Sequence, residues 1–174
     1  MPTVIATPGA TTANSYATKA QASVIGGYFE TKLFTTSWTG ASVSDRNTAL
    51  IWATRLLDDW VSWIGTKVDE NQSLRWPRYE VKDEDGYYVD SDAIPVFLRE
   101  ATSELAGYLL AGDPTAEPDT KGYKRLKVDV LELEVDKHDR DSATTIPDSV
   151  KSMVAHYGQV RNRGGFTTAA LQRS

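Results

Sequence analysis

The sequence predicts a mainly α fold: a small helical bundle of three to four helices, one or two β-hairpins, and extended N- and C-terminal arms. Three observations carry this reading. Apolar residues recur at steps of three and four in four separate stretches, the spacing of one helix face. An Asp-Gly pair flanked by tyrosine and valine, and later an alternating Leu/Val run, mark hairpins. Both ends of the chain lack any core-forming period. The division that follows is an arm over 1–17, a helical domain over 18–158 with hairpins near 79–89 and 123–136, and a tail over 159–174.

Each element has a local reason. Thr18-x-x-Gln21 has the form of a capping box and predicts a first helix from Thr18, with Ala22, Ile25, Phe29 and Leu33 facing inward. Gly26-Gly27 interrupts it, which marks a bend or a close backbone approach. The second helix is expected from about Ser44 to Ile64, stopped by Gly65. Leu50, Ala53, Leu57, Trp60 and Ile64 form its stripe, flanked by Ala49, Trp52, Leu56 and Trp63, with Thr54, Arg55, Asp58, Asp59 and Ser62 on the polar face. This helix is the predicted centre of the core, with Trp60 almost fully buried.

A third helix is expected from about Asp92 with Pro95 in its first turn, presenting Ile94, Leu98, Ala101, Leu105 and Tyr108 and ending at Gly112. Leu126, Val128 and Val130 alternate on one parity and Leu131, Leu133 and Val135 on the other, as two strands joined by a bulge or tight turn would. Pro147 opens a last short helix with Val150, Met153, Val154 and Tyr157 inward, closed by Gly158.

Composition excludes several function classes. The 174 residues contain no cysteine, so disulfides, thiolate metal sites and cysteine nucleophiles are out. No apolar run approaches the ~18 residues that would span a bilayer, and the N-terminus does not have the form of a secretory signal. The net charge is −5, but the acids cluster at Asp83, Glu84, Asp85, Asp90 and Asp92, while only bases follow Asp148: Lys151, Arg161, Arg163 and Arg173. A reader of duplex DNA would carry its positive charge on a folded face.

No segment carries an enzyme motif. The cluster Asp83, Asp85, Asp90 and Asp92 misses the EF-hand spacing, and a solvated hairpin is the simpler reading. His138 and His156 have no partner motif, and no glycine-rich phosphate loop or nucleophile elbow is present. Neither catalytic residue, metal nor cofactor is expected. In Trp76-Pro77-Arg78 the tryptophan is expected to cap the core, the proline to set the chain direction, and the arginine to bond loop carbonyls or an acid, in preference to an exposed indole and guanidinium at a subunit interface. Arg75, Arg78 and Tyr79 around Trp76 also offer a stacking platform for single-stranded bases, against which the neighbouring acids weigh. The tail, QVRNRGGFTTAALQRS, has an aromatic anchor in Phe166 with Arg161, Arg163 and Arg173, and reads as a segment that docks on a partner. Lys124 and Arg125 of the 123–136 hairpin are a second candidate contact, opposite the acidic 83–92 turn of a neighbour.

Several segments in order resemble a family of phage proteins described as DnaT-like single-stranded-DNA-binding, whose genes lie in head–tail modules. They are Asn14-Ser15-Tyr16, ALIWATRLLD (49–58), QSLRWPR (72–78), DEDGYYV (83–89), IPVFLREATSELA (94–106), LKVDVLELEVD (126–136) and IPDSVKSMV (146–154). The resemblance implies a non-enzymatic virion protein made in the host cytoplasm: a head-to-tail adaptor in the phage neck. Such a protein forms a homo-oligomeric ring, typically a dodecamer, that contacts the portal protein and further tail or neck proteins. Genomic DNA would pass through it without specific binding, and no membrane is involved. On this reading the docking tail and the Lys124/Arg125 hairpin meet the portal or a neighbouring subunit. The alternative is a single-stranded DNA-binding replication module.

Overall fold

The computed structural model describes residues 2–112, 126–128, 131–133 and 146–161. Among them are four α-helices, α1 (Thr36–Gly40), α2 (Val43–Trp60), α3 (Val96–Ala111) and α4 (Asp148–Val154), and six short strands. The strands are β1 (Val61–Trp63), β2 (Thr66–Lys67), β3 (Arg78–Tyr79), β4 (Leu126–Val128), β5 (Leu131–Leu133) and β6 (Gly158–Val160). They pair as three two-stranded antiparallel ladders, β1 with β6, β2 with β3 and β4 with β5. The chain divides into two units, 1–114 with 146–161, and 115–145 with 162–174. The mainly α class with small hairpins is the one expected. Among the described residues no helix is long and apolar enough to cross a membrane.

Helix α2 is the axis of the larger unit. It starts at Val43, one residue before the expected Ser44, and Ser42 caps it: its hydroxyl accepts from the Asp45 N–H at 3.1 Å. Ala49, Leu50, Ala53, Leu57 and Trp60 are buried against α3, which supplies Leu98, Ala101 and Leu105. Trp60 is 3% exposed. Helix α3 begins at Val96 after Pro95 and ends before Gly112, a turn later than expected at its start. Its stripe turns outward at Tyr108, which is exposed rather than inward. Helix α4 follows Pro147 and buries Val150 and Val154.

Three expectations are corrected by tertiary contacts. Over 18–33 no α-helix forms. The reciprocal capping bonds exist, Thr18 N–H to Gln21 Oε1 at 2.8 Å and Gln21 N–H to Thr18 Oγ1 at 3.2 Å. The chain then folds back, with Tyr28 N–H bonding Gln21 O and Phe29 N–H bonding Ser23 O. Gly26 sits at φ +68°, and a Cβ on Gly27 would lie 2.5 Å from the Ala20 carbonyl oxygen, so the glycine pair permits the fold-back. Only a single 3₁₀ turn, Tyr28–Glu30, remains; Ala22 and Phe29 are buried while Ile25 and Leu33 face solvent.

Helix α2 stops at Trp60, four residues before the predicted end, because Val61 turns extended and β1 begins. Val61 and Trp63 point inward and Ser62 outward, the period of a strand, and Ile64 is exposed. The partner strand β6 was not expected either. Its register, Val61 with Val160 and Trp63 with Gly158, places residues 159 and 160, read as the start of the tail, in the folded body. Arg161 N–H adds a bond to the Trp60 carbonyl at 2.7 Å.

The N-terminal segment contains no helix or strand, yet Ala13, Ser15, Tyr16 and Ala17 are buried in the core. Tyr16 N–H bonds Oγ1 of Thr54, a residue assigned from its spacing to the polar face and in fact fully buried. Both expected hairpins are present. Val89 N–H reaches Val81 O at 2.9 Å around the Asp85-Gly86 turn, and Leu126 pairs with Leu133 and Val128 with Leu131.

Trp60→Ala is expected to destabilise the fold by about 3–5 kcal/mol, the cost of a large-to-small core change, read as a shift in denaturant midpoint. Two glycines at positive φ should separate. Gly86 (φ +89°) has open space beside it, and Gly86→Ala should cost only about 1–2 kcal/mol. At Gly65 (φ +70°) a Cβ would meet the Tyr79 carbonyl oxygen at 2.1 Å, so Gly65→Ala should cost ~3 kcal/mol or more. Equal midpoints for the two variants would remove the close crossing of the Gly65 turn over β3.

Candidate functional surface

Trp76 is 1% exposed and is not available as a stacking platform. Its ring meets Trp63 edge-on at 5.8 Å and Phe97 edge-on at 5.5 Å, and Phe97 stacks flat on Tyr157 at 3.6 Å. This aromatic row ties β1, the 72–78 loop, α3 and the end of α4 together. The Trp76-Pro77 peptide is cis and Pro77 is buried. Arg78 is spent on carbonyls: Nε bonds Ile64 O at 2.6 Å, one terminal nitrogen bonds Arg75 O at 3.0 Å, and the other bonds Gly65 O. Partial burial pulls its pKa below the ordinary arginine value.

Asp58, also assigned to the polar face, lies in a second cluster. Its carboxylate accepts from Tyr16 Oη at 2.5 Å, from the Trp63 indole N–H at 3.2 Å and from the Arg75 backbone N–H at 3.3 Å. The Tyr16 hydroxyl oxygen in turn accepts from the Arg75 N–H at 3.1 Å. Burial is the largest influence on both groups and raises both pKa values; for Asp58 it outweighs the hydrogen bonds from Tyr16, Arg75 and Trp63. Asn14 of the Asn-Ser-Tyr motif closes the N-terminal segment, accepting from Ile5 N–H at 2.8 Å and donating to Thr3 O at 2.9 Å. The polar side chains of Asn14, Asp58 and Arg78 thus serve the architecture of the body rather than an open site.

The acidic turn has the same character. Asp83 Oδ1 accepts from Tyr87 N–H at 2.8 Å and Asp85 N–H at 3.1 Å, which closes the turn. Among the described residues no three acidic or histidine side chains are placed to hold a metal ion. His156 is exposed, its Nε2 3.1 Å from the Lys82 carbonyl oxygen. His138, Lys124, Arg125, Arg163, Phe166 and Arg173 lie outside the described residues; Arg161 is exposed beyond its backbone bond.

What the periodicity concealed is a surface of large apolar groups. Leu33 is 77% exposed and Phe34 94%, and Phe34 holds φ +60°, a conformation costing a bulky side chain roughly 1–3 kcal/mol. They stand over a cleft of about 340 Å³ floored by Phe29, Trp38 and Gly107. In it the buried Glu104 accepts from Tyr28 Oη at 2.9 Å and pairs with Lys32, whose ammonium lies 5.7 Å from the Tyr28 ring and 5.9 Å from the Tyr108 ring. Burial and Glu104 push the Tyr28 hydroxyl well above its ordinary pKa. A glutamate within the apolar stripe of α3 was the available signal for this pair. On the hairpin, Tyr87 and Tyr88 are also exposed, with Lys82 5.0 Å from the Tyr88 ring. Charge does not favour polyanions: residues 2–112 hold fourteen acidic and nine basic side chains.

The raised Asp58 pKa makes a signed prediction. A carboxyl that holds its proton more tightly when folded contributes stability that is complete below the ordinary value of 3.8 and lost as pH rises through the raised folded value. The stability of the native chain relative to Asp58→Asn should therefore fall as pH is raised from about 4 to about 7, read from paired urea titrations. A pH-independent gap would mean that Asp58 ionises as freely in the fold as in water.

No curated protein and no solved structure gives a significant match to this chain. A family model does, across residues 1–174, and its description reads "Putative DnaT-like ssDNA binding protein". A match over the whole length shows the family: the chain belongs to the DnaT-like ssDNA binding protein family.

Proposed function

We propose that the protein is a non-enzymatic assembly subunit of a phage particle, a head-to-tail adaptor that forms a ring beneath the portal in the neck and lines the DNA channel. The observation that carries this reading is the pairing of an acidic body with large exposed apolar side chains, Phe34 and Leu33 above all. Contiguous exposed apolar groups on a folded chain mark protein–protein contact. An acidic lumen lets DNA slide, whereas a binding groove would hold it. The order of the resembling segments, from Asn14-Ser15-Tyr16 to IPDSVKSMV, supports the same reading.

The family's description favours a second reading, single-stranded DNA binding. Tyr79, Tyr87 and Tyr88 are exposed, with Arg75 and Lys82 near them in sequence, the residue types on which bases stack. Against it stand the neighbouring acids Glu80, Asp83, Glu84 and Asp85 and the burial of Trp76.

Anisotropy of a labelled oligothymidylate across a salt series separates the two, with co-sedimentation on purified portal rings alongside. The adaptor reading expects co-sedimentation and no salt-dependent oligonucleotide binding. A true single-strand binder loses affinity with a log–log slope of about −0.7 per neutralised phosphate. That slope without portal binding would replace the adaptor by the DNA-binding reading.

A further inference from the structure

We infer that Leu33 and Phe34 of one copy of this chain insert into a groove along α2 of a second copy, a head-to-tail contact between two different surfaces. The groove has two parts that meet at Thr48 and Trp52. One, of about 560 Å³, runs between α1, α2 and the end of α3, with Ala49, Leu109 and Leu110 in its lining. The other, of about 570 Å³, continues beside the N-terminal segment to Arg55. Trp52 is only half-buried there, an indole in the middle of a surface groove.

The charges match the occupant. Glu30 is exposed four residues before Phe34. Arg55 is exposed one helical turn beyond Trp52. The inferred pose, with Phe34 seated against Trp52 and Leu110, pairs Arg55 of the receiving copy with Glu30 of the incoming copy, whose carboxylate also accepts from its own Gly26 N–H at 2.8 Å. A contact between unlike surfaces repeats, and closes into a ring when the rotation permits. Area sets the scale: an aromatic side chain buries roughly 150–250 Å², against about 800 Å² per partner for a stable interface. Phe34 is therefore the anchor of a larger contact, and the strain at its backbone is accounted for by presentation to a neighbour. Placing this contact within the neck ring rests on the adaptor reading; the contact itself rests on the two surfaces.

The chain has no native cysteine, so disulfide trapping reads the contact directly. Glu30→Cys and Arg55→Cys, both exposed positions that leave Phe34 in place, are prepared as separate full-length proteins and oxidised alone and mixed. The mixture should give a linked dimer at least about tenfold faster than either protein alone, and Phe34→Asp in the native chain should weaken self-association at sedimentation equilibrium by about tenfold or more. Glu30→Arg and Arg55→Glu should each weaken it, and their combination should restore it. Equal cross-linking rates in mixture and separate samples overturn the inference and leave the groove to a different occupant. Faster linking of Glu30→Cys with itself overturns it in favour of a symmetric contact. Failure of the adaptor reading appears elsewhere, as loss of portal co-sedimentation by a chain that still cross-links.

Discussion

The Asp58 carboxylate is the joint on which the larger unit depends, because it collects donors from three segments that have no reason to meet otherwise. Tyr16 arrives from the N-terminal segment, Trp63 from β1, and the Arg75 N–H from the loop before Pro77. A carboxylate withdrawn from water without such donors would cost several kcal/mol, so the three segments are bound to one arrangement or to none. Burial raises its pKa against the opposing pull of those hydrogen bonds. The site trades stability near neutrality for a fixed relation between the N-terminus, α2 and the tryptophan loop.

From that joint the rest of the packing follows outward. Once Arg75 is held, Trp76 lies between Trp63 and Phe97, and Arg78 can bind the carbonyls of Ile64 and Gly65. Those carbonyls belong to the turn that carries the chain from β1 into β2. The β1–β6 ladder then brings in the segment after α4, so residues far apart in sequence close one core. Nearly every distinctive polar side chain of the body is consumed in this way. Recognition is left to the surface, where Phe34, Leu33 and the tyrosines of the 81–89 hairpin are exposed. The interior thus fixes the fold, and the large exposed apolar groups are left outside it.

The sequence by itself determined the elements whose stabilisation is local. Helices α2 and α3 carry their own periodicity, Pro95 marks the start of α3, and the Asp85-Gly86 turn has its own φ requirement. The W-P-R triplet was legible as a structural unit because a tryptophan, a proline and an arginine in succession have few other uses in an acidic loop. Family membership was legible for the same reason, through short segments in a specific order.

The tertiary structure decided the rest, wherever a long-range partner outweighs a local preference. Thr18 and Gln21 make their capping bonds, but the glycine pair lets the backbone turn back on itself, and the helix ends before it begins. Val61 and Trp63 continue the apolar spacing of α2, yet β6, almost a hundred residues later, pairs with them as a strand. Thr54 and Asp58 look solvent-facing on a helical wheel and are covered by Tyr16, a contact no local pattern encodes. Ile25 and Leu33 look like core and are exposed, because the helix that would have turned them inward does not form. A period reports which side chains share a face; which face is buried depends on the segments that come to cover it.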